Sequence, residues 1–153
     1  MIRTVKACGT GESVLAQIPV GPGTYAVVMR LDANKRVLVG ALGEIRLCAG
    51  YCVYIGSALG GLRGRLKRYI AGPRRLYWHV DYLLQAASLV ELWYAEGTLR
   101  AECDWAQALA RSGLRPAAAR FGSSDCRCLT HLYYSPGRPN VCLLAADSVP
   151  DAG

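Results

Sequence analysis

Glu102 is the first side chain in this chain whose placement suggests chemistry. On a helix expected over Leu99 to Arg111, the apolar face holds Leu99, Cys103, Ala106 and Ala110. Glu102 projects between Ala106 and Leu109, toward the packed side, whereas Asp104 points to the polar side. A carboxylate turned inward is costly unless a cation or hydrogen-bond donors meet it, so Glu102 is the candidate ligand for a metal ion. A second helix, expected from Leu62, Leu66, Tyr69 and Ile70, puts Arg65 at its buried margin and turns Arg63, Lys67 and Arg68 outward. With Arg74 and Arg75 these outward cations form a basic stretch suited to following a phosphate backbone without reading sequence. Tyr77 and Trp78 can stack exposed bases beside it. An ordinary solvated helix face with two core aromatics has the same composition.

Two histidines extend the list. His79 can relay a proton or touch phosphate with Asp81 holding its ring, since imidazole titrates near neutral pH, and beside Trp78 it equally fits a packed, hydrogen-bonded core position. Cys126-x-Cys128-x-x-His131 has the composition of a partial structural Zn²⁺ site, which Cys103 or His79 would complete. Its spacing is not that of the usual zinc fingers, and buried thiols with a capping Asp125 are the alternative.

The elements that must position these groups are short. Gly21-Pro22-Gly23 is a turn cluster, and Thr24 to Leu31 reads as a strand. Asp32-Ala33-Asn34-Lys35 supplies turn residues before a second strand at Arg36 to Val39, a hairpin-like beginning. Short extended pieces follow, and Tyr51 to Ile55 is the next strand. After the helix that starts at Leu62, another is expected over His79 to Ala87, then a strand from Leu89 to Ala95, the helix bearing Glu102, and a last strand at His131 to Tyr134. Residues 1–20 read as a loose arm or an added edge strand, 21–135 as one domain, and 136–153 as a tail punctuated by Pro and Gly.

A chain of 153 residues, 52% of them hydrophobic, can bury a single core. Eighteen Lys and Arg against eleven Asp and Glu give a formal charge of +7, which favours a polyanionic partner over an acidic protein or bare solvent. The N-terminal residues have no unbroken apolar stretch after their cations, and nothing reaches the ~20 apolar residues of a spanning helix. The expectation is a cytoplasmic protein with no membrane partner and reduced thiols, most of its seven cysteines being small buried hydrophobes.

Gly23-Thr24-Tyr25, Tyr51-Cys-Val-Tyr-Ile-Gly-Ser-Ala58, Gly61-Leu-Arg-Gly-Arg-Leu-Lys-Arg-Tyr69, Trp78-His-Val-Asp-Tyr-Leu-Leu84, Glu102-Cys103 and Phe121 to Tyr134 follow one another in an order that resembles the GIY-YIG nuclease superfamily. The resemblance is closest to the branch described as Uri-type endonucleases, or the DUF123 domain. It implies a small α/β (α+β) domain: a central antiparallel sheet of about three core strands plus peripheral strands, flanked by about three α-helices. It also implies hydrolysis of DNA phosphodiesters, in repair or turnover, with one Mg²⁺ or Mn²⁺. Carried over by position, Tyr25 is the base, Tyr54 an orienting hydrogen-bond partner, Arg65 the clamp on phosphate and transition state, and Glu102 the metal ligand. A free phenol has a pKa of ~10, so Tyr25 serves as base only where a cation favours the phenolate. The chain departs from the pattern at Thr24, where the middle residue is usually apolar, and in having no Asn between Lys35 and Pro139.

Two other readings share these residues. One is a nucleic-acid-binding module of the same fold with little or no catalysis, and the other is a zinc-stabilised interaction domain. Neither the form of the DNA, whether single-stranded, duplex or branched, nor an oligomeric state follows from the residues.

Overall fold

The computed structural model describes residues 2–72, 76, 78–99, 101–122 and 128–145. Its elements in chain order begin with β1 (Arg3–Lys6), α1 (Gly11–Ala16), β2 (Gly23–Leu31), β3 (Lys35–Val39), a 3₁₀ turn (Gly40–Leu42), β4 (Gly43–Leu47) and β5 (Gly50–Ala58). They continue with α2 (Leu62–Ala71), α3 (His79–Leu84), β6 (Ser88–Glu96), α4 (Glu102–Arg111), β7 (Arg115–Pro116), β8 (Leu132–Ser135) and α5 (Cys142–Ala145).

β2 is apolar along nearly its whole length because both of its faces are covered. Odd-numbered residues Tyr25, Val27 and Met29 join a cluster with Tyr54, Leu62, Leu66, Val80 and Leu83. Even-numbered Ala26 and Val28 join Val53, Ile55, Trp93, Trp105, Ala106 and Leu109 on the other side. The period-2 alternation of a strand thus assigns α2 and α3 to one face of the sheet and α4 to the opposite face.

Six strands form that sheet in the order β1-β6-β2-β5-β8-β7, every neighbouring pair antiparallel. The α+β class holds: β6, β2 and β5 are the core, and β1, β7 and β8 are peripheral. β2 pairs with β5 from Gly23↔Ala58 to Leu31↔Gly50, and with β6 along its other edge. The hairpin expected between β2 and β3 is therefore absent. With both edges of β2 taken, β3 has no place beside it and pairs with β4 in a separate two-stranded sheet. Val37, Val39, Ile45 and Leu47 alternate inward from this ribbon into the α2–α3 side of the core.

Of the two expectations for the first residues, the added edge strand is the one present. β1 pairs with β6 at the sheet edge, and α1, whose Thr10 Oγ1 accepts from the Ser13 N–H at 3.1 Å, buries Val14. In the last segment, α5 buries Leu144 beneath α4, and the Asn140 side chain accepts from the Cys142 N–H at 2.8 Å. Asn140 is thus a helix cap. No helix among the described residues is long and apolar enough to cross a membrane.

The stripe expected on α2 is present, with Leu62, Leu66 and Tyr69 all buried. That on α4 is rotated: Trp105, Ala106, Ala108 and Leu109 are buried, while Leu99 precedes the helix and is 87% exposed. The bulk of Trp105 sets the face, and of the expected Leu99, Cys103, Ala106 and Ala110 only Ala106 is buried. The cysteines also differ from expectation, since Cys52 alone of the described ones is buried and Cys8, Cys48 and Cys142 are exposed. Burial, then the neighbouring Cys48, pushes the Cys52 thiol up to about 12.

α2 and α3 are tied by charge. Arg68 on α2 donates from Nε and Nη2 to the two carboxylate oxygens of Asp81, at 3.2 and 2.7 Å. Asp81 Oδ2 also accepts from the Trp78 N–H at 2.9 Å, closing the first turn of α3. Asp81 is fully buried, so its removal takes the carboxylate from both Arg68 and the Trp78 N–H and leaves a space in the core. Asp81→Ala is expected to destabilise the protein by about 3 kcal/mol in urea unfolding, against less than about 0.5 kcal/mol for Lys67→Ala on the exposed face of the same helix.

Candidate active site

The ring of Tyr25 leaves β2 on the α2 side and lies across β5 at its cross-strand partner Gly56. A Cβ on Gly56 would stand 2.5 Å from Tyr25 Oη, so the crossing requires glycine. Tyr25 Oη shares a hydrogen with Tyr69 Oη across 2.6 Å. Arg65 Nη1 donates to Tyr25 Oη and to the Ser57 carbonyl, both at 3.3 Å. α2 supplies both partners, since residues 65 and 69 are four apart and stand one above the other on a helix.

Tyr54 precedes Gly56 by two residues and so shares its face, with its ring 6.4 Å from that of Tyr25. Phe121 closes its far side edge-on at 5.8 Å. Gly122 follows with a φ of +69°, and a Cβ there would lie 2.6 Å from the Tyr54 ring. Two glycines, one on each side, thus make room for the two phenols.

Glu102 arrives from the opposite layer. It opens α4, where the Ala101 N–H donates to Thr24 Oγ1 at 3.1 Å, and it is half-buried. β8 covers the outer edge of β5 only from Tyr51 to Tyr54, with one further bond from the Ile55 N–H to the His131 carbonyl. Beyond Ile55 that edge has no strand partner among the described residues, and both layers reach it there. The charge of Glu102 is felt at both Tyr25 and Tyr54. The Ser57 hydroxyl, on the α4 side beside Thr24 in the strand register, is buried without a hydrogen-bond partner among the described residues.

Burial dominates the titration of the phenols. It pushes Tyr25 up, with Arg65 and the Tyr69 hydrogen bond pulling down and Glu102 adding to the rise. Tyr54 is pushed well up by burial, then by Tyr25 and Glu102. Tyr69 rises for the same first reason. Arg65 alone does not make a phenolate here.

His79 is oriented by backbone and not by Asp81, which is engaged by Arg68 and Trp78. Its Nδ1 accepts from the Gly122 N–H at 2.9 Å, which leaves the hydrogen of the neutral ring on Nε2. Its ring also packs on Phe121 at 5.2 Å, and burial lowers its pKa.

The expected row of outward cations is only partly available. Arg63 donates from Nε to the Ile18 carbonyl at 2.7 Å, and Arg68 is held by Asp81, so both serve the fold. Lys67 is exposed. Arg74, Arg75 and Tyr77 lie outside the described residues. Trp78, 40% exposed, carries the Arg65 guanidinium 4.4 Å and that of Arg68 4.9 Å from its ring centre.

Of the thiol and imidazole group, Cys128 and His131 meet Cys103, with one ligand atom from each lying within 4.8 Å of the others. Cys126 lies outside the described residues, and His79 is held elsewhere by Gly122. Two participants in the tyrosine site carried little signal. Tyr69 sits in the apolar stripe of α2 and reads as core, and Ser57 is one small residue in a strand.

The family model described as "Domain of unknown function DUF123" matches residues 24–152. No curated protein and no solved structure matches the chain. The match takes in the site from Thr24 and Tyr25 on β2 to His131 before β8, and the chain belongs to the DUF123 family.

Proposed function

We propose that this protein is a divalent-metal-dependent endonuclease of the GIY-YIG type that hydrolyses phosphodiester bonds of DNA, in repair or DNA turnover. The observation that carries the reading is the meeting of Tyr25, Tyr54 and Arg65 at the uncovered end of β5, beside which the Ala101–Thr24 hydrogen bond anchors the start of α4 and Glu102.

The half-buried Glu102 carboxylate and the buried Ser57 hydroxyl, which has no hydrogen-bond partner among the described residues, fit a Mg²⁺ or Mn²⁺ ion, which keeps several waters and takes few protein ligands. Glu102 would hold it. Bound there, the ion supplies positive charge that favours the phenolate and neutralises the phosphoryl oxygens. In the reaction a water oxygen bonds to phosphorus while the bond from phosphorus to the leaving sugar oxygen breaks. Tyr25 Oη takes the proton of that water, and Tyr54 keeps it in line. Arg65, already aimed at Tyr25 Oη, binds the phosphoryl oxygens and the charge that gathers on them. His79 offers the Nε2 hydrogen to phosphate or to the leaving oxygen.

A second reading, a DNA-binding module with little catalysis, draws on the buried and raised phenols, and the same experiment separates the two. Labelled single-stranded, duplex and branched DNA is incubated with the protein and Mg²⁺ or Mn²⁺. Cleavage of at least one form is expected, falling about 100-fold or more in Tyr25→Phe and Glu102→Ala with affinity changed less than about threefold. Binding without cleavage of any form would select the module.

Two further outcomes follow from the geometry. Gly56→Ala forces the Tyr25 phenol aside, and a loss of about 100-fold in single-turnover rate with retained DNA binding is expected. Because the Tyr25 phenol titrates above its ordinary value, its base form grows with alkalinity. The rate should rise up to about tenfold per pH unit between roughly pH 6 and pH 8 in the wild type and lose that slope in Tyr25→Phe.

A further inference from the structure

A second group of metal-binding side chains lies between α4 and the segment that enters β8. Cys103, on the first turn of α4, and Cys128 are half-buried, and His131 is only 1% exposed. Cys103 Sγ is 3.9 Å from His131 Nε2, and the three ligand atoms are all within 4.8 Å of one another. A tetrahedral zinc site with Zn–S of about 2.3 Å and Zn–N of about 2.0 Å sets its S···S and S···N separations at about 3.5 to 3.8 Å. The cluster is thus within a small side-chain adjustment of that geometry.

The backbone beneath it is pinned. The His131 N–H donates to the Phe121 carbonyl at 2.8 Å, and the His131 carbonyl accepts from the Ile55 N–H at 3.0 Å. The Leu129 carbonyl, next to Cys128, accepts from the Arg120 N–H at 2.6 Å. Cys103 stands on a helix anchored by Trp105, Ala106 and Leu109, at the end whose partial positive charge favours an anionic ligand. Cys103, Cys128, Leu129 and Tyr133 also line a cavity of about 290 Å³, which gives the cluster an open side.

We propose that Cys103 Sγ, Cys128 Sγ and His131 Nε2 bind one zinc ion, distinct from any ion held by Glu102, which staples α4 to the strand-entry segment. Thiolate and imidazole select zinc over the hard cations that suit a carboxylate. Binding releases the two thiol protons to solvent, and the two thiolates balance the charge of the ion. The staple has a consequence that rests on the nuclease reading. Cys103 follows Glu102 directly, and the Phe121 held by His131 packs on Tyr54 and His79, so one ion braces both sides of the cleft.

The test uses the full chain without a metal-binding tag, purified anaerobically and without chelator. Elemental analysis should find about one zinc per chain, lost in Cys128→Ser and His131→Ala and kept in Cys142→Ser, an exposed control. Cobalt added to zinc-stripped wild type should give thiolate charge-transfer absorption and the visible bands of a tetrahedral site, which reads the coordination without relying on any variant to fold. Less than about a tenth of a zinc per chain together with no cobalt spectrum would overturn the proposal. So would a Cys103–Cys128 disulfide found by mass spectrometry in the anaerobic protein. These readouts do not involve DNA: zinc binding by a protein that cuts nothing removes the nuclease reading alone, and cleavage by a zinc-free, cobalt-silent protein removes the staple alone.

Discussion

Everything in this structure is arranged around β2, which is paired along both edges and covered on both faces. A strand so enclosed has no solvent face on which to display a reactive group. Tyr25 reaches the site only by lying across the neighbouring strand at Gly56, past which β5 runs beyond the cover of β8. The position of the candidate site is thus a result of strand lengths. Where β8 stops, two helical layers that are otherwise separated by the sheet come to the same edge, one with Arg65 and Tyr69, the other with Glu102.

The residues predicted this arrangement unevenly, and the reason differs from element to element. α2 was readable because Leu62, Leu66 and Tyr69 mark one stripe and glycines bound it, so the buried margin that contains Arg65 followed from periodicity alone. β2 was readable as a strand, but its pairing was not. Turn residues at Asp32 to Lys35 promise a hairpin, and only the competition of β5 and β6 for both edges of β2 cancels it. On α4 the expected face was displaced because Leu99 lies outside the helix while Trp105 dominates the burial. Contacts across the sheet are non-local, and no spacing rule records them.

The site shows the same division. Glycine at positions 56 and 122 reads locally as turn or strand punctuation, yet each makes room for a particular tyrosine ring far away in the chain. The basic helix looked like a row of free charges. Arg68 was in fact the partner demanded by the buried Asp81, and Arg63 that of a carbonyl left over at Ile18. Unmet buried polar groups consume surface cations before any ligand does, and composition does not reveal that demand.

Arg65 and Glu102 act on the same phenols with opposite sign, from opposite sides of the sheet. Burial and the carboxylate together outweigh the guanidinium and the Tyr69 hydrogen bond, so Tyr25 in the resting protein holds its proton. Under the proposed reaction this order is useful, because positive charge placed beside Glu102 cancels the contribution that opposes ionisation and adds one that favours it. The phenol then becomes a base only when cation and phosphate are both at the open end of β5, while Arg65 exchanges a neutral phenol for an anionic oxygen.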